Sequence, residues 1–509
     1  MRAGRFGIVV VALVVAGCGG ARGPSQSDGA TTDADAAQGD VASFDVFDGG
    51  TKVDSSGSEL GQGVEAGIDV GVDARDLAPP PDAAPDRTPD AATDRAPMAD
   101  VASDRTADVT PAIDASSGDG GASACTPLVG AGVAAHVTAM STQGWAATNR
   151  AGGLTMFGCA GAATTRACLG ALPRASTTAY GAGWEADHPG SVLRILRTDG
   201  TSSESWTRSS ADGRFVGSGR ASAGQILDLT DGHVVKTPEA LGFPGFFPDA
   251  SGWQFGGPSA LYCRQAVLVS GVTYASMYAP DCTTINTGYA ASVGAVPGGE
   301  YWALGSQFFM DDGGHVATLA DPSMAFTSLA QVRLYPIADT GTKFAPKAAY
   351  ASVPLAGEGD AVLSPSASLM VTRVAQGGYR LRKVVAAPSG ATYTVDLPEL
   401  ARYCVSGGTP SISYDERWMV MHHYVGDADA TALGFTGPTD PAFAAYRAQG
   451  AANVYLVDLT TGARTRVTRM APGQYALYPH FRSDGWIYFV VRVAGTSTEY
   501  LVASDAALN

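Results

Sequence analysis

No common catalytic signature occurs in the 509 residues. There is no GxSxG elbow, no HExxH pair, no GxxxxGK[ST] loop and no dinucleotide fingerprint opening a helix. These absences remove the motif-based routes to a serine hydrolase, a zinc protease, a P-loop enzyme and a nicotinamide or flavin enzyme. No CxxC pair occurs either, which argues against thiol redox chemistry and a cysteine zinc cluster. Charge is sparse, 16% of residues, and unevenly placed. Residues 19–124 hold 21 acidic and 6 basic side chains, whereas residues 125–509 hold 28 and 25. The net charge of -16 therefore belongs almost entirely to one segment. The remainder has no basic field to attract a polyanion, so no nucleic-acid partner is expected.

That acidic segment also lacks aromatics, with only Phe44 and Phe47, and cycles through Asp, Ala, Thr, Pro and Gly, as in APPPDAAPDRTPDAATDRAP at 78–97. It cannot bury enough apolar surface to offset the entropy of ordering it, so residues 19–124 read as a disordered linker. No calcium-loop spacing is present among its carboxylates. As a flexible coil of 106 residues it would reach roughly 55–60 Å, the dimension of a tether.

The apolar run from Phe6 to Gly17 is twelve residues, too short to span a bilayer. Arg2 and Arg5 precede it and Cys18 closes it, so residues 1–18 read as an export signal. The closing Val15-Ala16-Gly17-Cys18 resembles the bacterial lipobox, which implies lipidation of Cys18 and anchoring to a membrane. Gly19 offers no aspartate for inner-membrane retention. The expected location is the outer membrane, periplasmic or surface-exposed.

Six further cysteines, Cys125, Cys159, Cys168, Cys263, Cys282 and Cys404, all lie beyond the linker. An even number in an exported chain favours three disulfides, with fifteen pairings open. Proximity along the chain suggests Cys159–Cys168 and Cys263–Cys282, leaving Cys125–Cys404.

What the chain does contain is a repeat. A polar turn, an aromatic or Leu, and a short apolar strand recur at 141–147, 210–218, 249–257, 298–305, 364–372, 413–421 and 482–490. The slot is filled by Trp145, Phe215, Trp253, Trp302, Leu369, Trp418 and Trp486, so five of the seven tryptophans occupy it. A strand-rich unit recurring every 40–70 residues is the pattern of a β-propeller. Seven starts predict seven blades, or six if the copy at Trp145 or Leu369 is not one. The expected fold class is all-β: a propeller over 125–509 behind an acidic tether. Several copies continue into a hairpin, as in ILDLTDGHVVKT and VYLVDLTTGARTRVT, whose glycine supplies a positive φ. LRILRTDGTSSESWT (193–207) and VRLYPIADTGTKF (332–344) look like weaker copies. To close the ring, LVGAGVAAHVTAM (128–140) is expected to give the last blade its outer strand. The slot residues are expected to pack between blades at the start of inner strands.

SADGRFVGS with ILDLTDG, SYDERWMVM with VYLVDLTTG, and YPHFRSDGWIYF together resemble the TolB-type, WD40-like propeller repeat. The resemblance covers roughly 140–490 and implies four-stranded blades around a channel. It also implies a binding role toward an envelope protein, peptide or glycan, without an enzyme and without a cofactor; a monomer is expected. Propeller lyases acting on uronic-acid oligomers look like the same repeat and use a histidine-ligated metal. The corresponding alternative here is a glycan-active enzyme whose metal or general base is drawn from His422, His423 and His480 near a carboxylate. The excursion at 425–452 should hold a short helix, capped by Asp440 with Pro441 first and Gly450 last, and either cover one channel mouth or contact a partner through Phe443 and Tyr446.

Overall fold

The computed structural model describes residues 125–143, 154–175, 185–199, 206–219, 224–236, 242–256, 260–269, 281–285, 289–296, 300–308, 329–374 and 377–509. The signal, Cys18, the tether and Trp145 lie outside the described residues.

Consecutive antiparallel strands form six blades, spanning 207–236, 242–285, 289–354, 358–403, 408–466 and 474–504. Their first strands are Thr207–Ser209, Gly242–Phe246, Tyr289–Ala295, Glu358–Leu363, Gly408–Ile412 and Gln474–Phe481. Each of these touches the first strand of the next blade, and the sixth touches the first, so the blades close into a ring around an axis. The fold is a β-propeller, and the described strands make the lower of the two blade counts the repeats allowed.

Closure comes from a different segment than the sequence suggested. Leu193–Asp199 pairs antiparallel with Glu499–Ser504, giving the last blade its outer strand from ahead of the first blade. The expected segment instead contributes Leu128–Val129 to the edge of blade 4, opposite Arg402 and Ala401, and then forms the helix Ala131–Gln143. Its apolar residues explain this. Val133 and Met140 are buried and Val137 packs beside them, a spacing of helical rather than strand period. Ser141 to Gln143, the start of the first repeat copy, finish that helix. The supposed hairpin at 193–207 is split, its halves serving blades 6 and 1. Leu329–Asp339 with Phe344–Pro346 is a hairpin, as expected.

The repeat turn joins the first and second strands of a blade. The slot residues thus open the second strand, one strand farther from the axis than expected. Phe215, Trp253, Trp302, Leu369 and Trp486 are buried there, and Trp418 is half-buried. The turn's chemistry recurs. Ser210, Ser364 and Ser413 accept hydrogen bonds from the N–H groups of Phe215, Leu369 and Trp418 at 3.0, 3.0 and 2.9 Å. The hairpin motif has a matching device. Asp228 and Asp458 each cap their turn by accepting from the N–H of Thr230 or Thr460, and each pairs with the arginine just before a slot residue, Arg214 or Arg417.

The bonds Cys125–Cys404, Cys159–Cys168 and Cys263–Cys282 are present. In blade 6 the turn begins with Arg482 in place of serine. It is fully buried and donates to Asp484, to the Phe157 carbonyl at 2.9 Å and to the Tyr488 hydroxyl at 2.9 Å. That one guanidinium fastens the disulfide-bearing segment 154–175 to the ring.

Candidate functional site

The first strands converge at the axis, and four of them carry a bulge or register shift together with a non-glycine residue at positive φ: Phe243, Asp360, Thr409 and Tyr478. A bulge re-aims the residues that follow it. The ends of these strands enclose a cavity of about 80 Å³ at the mouth on the repeat-turn side, to which Arg208, Gly245, Ser292, Val362, Ser411 and His480 contribute, one from each blade. Pro248, Pro365 and Tyr414 of the following turns form part of its rim.

His480 is 1% exposed. Its Nδ1 lies 3.0 Å from the Tyr478 carbonyl oxygen, which can only accept, so Nδ1 carries the proton and Nε2 presents a lone pair. Nε2 has no protein partner. Burial, aided by the charge of Arg208, holds the imidazole down to about 3, so it is neutral at pH 7. Burial likewise lowers Arg208 to about 10, partly offset by Asp360. Arg208 donates to the Thr207 and Pro410 carbonyls at 3.1 and 3.4 Å. At the rim, burial first and then the carboxylates of Asp249, Asp212 and Asp484 push the Tyr414 phenol far above its usual range.

The three histidines singled out by sequence have three different environments. His422 Nδ1 is 2.7 Å from Thr409 Oγ1, with Tyr424 and Tyr478 edge-on to its ring. It is held down to about 3, by burial first and then by Arg373. His423 is the next residue on the same strand and so faces the other way. Its Nε2 meets Asp429 Oδ2 at 2.7 Å, under the inserted loop. Burial works to raise the Asp429 carboxyl, but the bond from His423 and the N–H of Gly426 bring it below its usual value. Among the described residues, no group of three metal-binding side chains that includes any of these histidines has its donor atoms within 4.8 Å of one another. The group that meets this distance, Cys159, Cys168 and Asp484, has both sulfurs in a disulfide.

The insertion folds as its sequence suggests, with a helix Pro441–Gln449 capped by Asp440, which accepts from Ala442 N, and ended at Gly450 with φ 72°. Its aromatics are used internally, which corrects the expectation of a partner surface. Phe443 is fully buried against Ala430 and Leu433, and the Tyr446 hydroxyl donates to the Met470 carbonyl at 2.5 Å.

Sequence reading missed Arg208 and Tyr414. A signal existed: in four blades the residue two before the start of the turn lines the cavity, as Arg208, Val362, Ser411 and His480. Arg208 and His480 are the ionisable members of that series.

No protein-family model and no curated sequence matches the chain. Among solved structures it is similar to the β-propeller domain of Myceliophteria thermophila Cps50 (Swd1), with 12% identity and a TM-score of 0.36, covering 61% of this chain and 99% of that one. It is similar to an oligogalacturonate lyase in complex with manganese, with 13% identity and a TM-score of 0.33, covering 63% and 95%. It is also similar to the AfRom2 CNH domain, with 8% identity and a TM-score of 0.35, covering 61% and 98%. The propeller assignment rests on the strand pairing and ring contacts above rather than on these likenesses.

Proposed function

We propose that the chain is a lipid-anchored, non-enzymatic binding module of the bacterial outer membrane, with a TolB-like propeller held off the lipid by the acidic tether. The observation that carries the non-enzymatic part is the separation of His422, His423 and His480: each imidazole has its own structural partner, and they do not share a centre. Three disulfides support an oxidising compartment. The partner is an envelope protein, peptide or glycan.

Two measurements on the full chain test this. Fatty-acid labelling in a bacterial host should mark the wild type, and Cys18→Ser should lose both the label and membrane association. Incubation with uronic-acid oligomers and divalent cations should release no unsaturated product. Product formation that disappears in His480→Ala would replace this reading with the lyase.

A further inference from the structure

The residues just ahead of the Cys159–Cys168 disulfide lie across the axial mouth. Met156 Sδ accepts from the Ser483 hydroxyl at 3.6 Å, on the repeat turn of blade 6. Phe157 donates its N–H to the Asp212 carbonyl at 2.9 Å, on the turn of blade 1, and packs against the cluster that holds Trp486 and Tyr488. Leu154 packs against Ala295, the last residue of the first strand of blade 3. Blades 3 and 6 stand opposite each other in a ring of six, and Leu154 and Met156 are separated by at most about 7 Å of backbone. A segment that short reaches opposite blades only by crossing close to the axis.

The rim meets it from the other side. Tyr414 of blade 5 packs against the same Ala295, whose N–H donates to the Pro365 carbonyl at 2.8 Å. Tyr414 and Pro365 both border the axial cavity. Leu154 and Tyr414 therefore roof its mouth together.

This strap is held unevenly. Phe157 is anchored, because Arg482 donates to its carbonyl and the disulfide follows two residues on. Leu154 and Met156 rest on side-chain contacts and are half-buried, and Thr155 between them is exposed. A segment fixed at one end and lightly packed at the other opens locally without unfolding the ring. The surface under its free end is apolar, made by Ala295 with the ring of Tyr414 beside it. An extended chain offering an aliphatic side chain in the place of Leu154 fits that surface.

We propose that residues 154–156 are an autoinhibitory strap, occupying the place at the axial mouth where an extended apolar segment of a protein partner docks once the strap lifts. This deepens the binding-module reading by naming the partner class, and it rests on that reading.

The test adds the full chain to the synthetic peptide GGLTMG and follows broadening of the peptide's methionine methyl resonance. Leu154→Ser combined with Met156→Ser loosens the strap and leaves Phe157, Arg482 and the disulfide in place. That variant should bind the peptide saturably, at least tenfold more tightly than wild type, whose own strap competes for the site. Leu154→Ala, the milder second variant, should fall between them. Tyr414→Ser in the loosened chain removes the facing wall and should weaken binding at least fivefold. The control peptide GGSTMG should stay sharp with every chain, and each variant's melting curve shows that it is folded.

Equal binding by wild type and both strap variants, no binding by any chain, or equal binding of the serine control would each overturn the proposal. So would saturable binding of maltose by the loosened chain in place of the peptide. The two readings fail separately. Cleavage of uronic-acid oligomers would end the non-enzymatic reading and leave the strap standing, whereas an envelope protein bound elsewhere, with no peptide binding at the mouth, would leave the module and end the strap.

Discussion

Two buried imidazoles set the acid response of this propeller. His422 and His480 are both held down to about 3, chiefly by burial, against about 6.5 in an unfolded chain. The unfolded state therefore binds more protons between those values, and folding stability rises with pH across that window. Each histidine contributes its full stabilisation above about pH 6.5 and loses it as the pH falls toward 3, by about 1.4 kcal/mol per pH unit. Denaturant unfolding at pH 5 should thus show about 2 kcal/mol less stability per histidine than at pH 7. His422→Gln should flatten the dependence, and a wild type equally stable at both pH values would refute the assignment.

Among the elements, the repeat turn shows how one backbone requirement is met by different side chains. Its left-handed position is glycine in blades 1 and 6, Gly213 and Gly485, but Ala250, Ala367 and Glu416 in blades 2, 4 and 5. A side chain there costs about 1–2 kcal/mol. Glu416, at φ 54°, offsets that cost through its carboxylate. Fully buried, it accepts from the Ser366 N–H at 2.8 Å in the neighbouring blade's turn and meets His136 Nε2 of the amino-terminal helix at 2.6 Å. Glu416→Gly would relieve the strain and lose both contacts, each worth about 1.5–3 kcal/mol when a charged group takes part. The expected result is a net loss of about 1–5 kcal/mol in chemical denaturation. A variant more stable than wild type would show that the latch is ornamental.

At the scale of the whole molecule, the ring depends on a strand that precedes it. Leu193 and Ile195, both buried, pack into the core of the last blade. A chain of residues 206–509 would bare the edge of Glu499–Ser504 and lose about 2 kcal/mol for each of these two side chains. It should melt earlier and associate through the open edge. The chain end lies close to the start of that strand: a Cβ placed on Gly190 would sit 3.7 Å from Asn509 Oδ1. A short linker should therefore let residues 190–199 follow residue 509 and restore the melting temperature, with Cys404→Ser in both chains. Failure of the added strand to restore it would mean that segment 125–189, rather than closure, supplies the missing stability.

The local devices were legible because they depend on residues close together in sequence: the Ser-x-Asp-Gly turn, the Asp-Leu-Thr hairpin, the slot aromatics, and the Asp440-Pro441 helix start ending at Gly450. The disulfide pairs were likewise suggested by order along the chain. Ring closure was not legible, because Leu193–Asp199 meets Glu499–Ser504 across some 300 residues and any apolar strand could have filled that edge. For 128–140, helical spacing of Val133, Val137 and Met140 was present in the letters, but its burial against blade 4 depended on the assembled ring. The axial site was hidden for the same reason. Histidines adjacent in sequence diverged because a strand alternates its faces, while Arg208 and His480, 272 positions apart, were brought to one cavity by the ring. Sequence alone determined the repeating unit; only closure of six such units around an axis decided which side chains face one another.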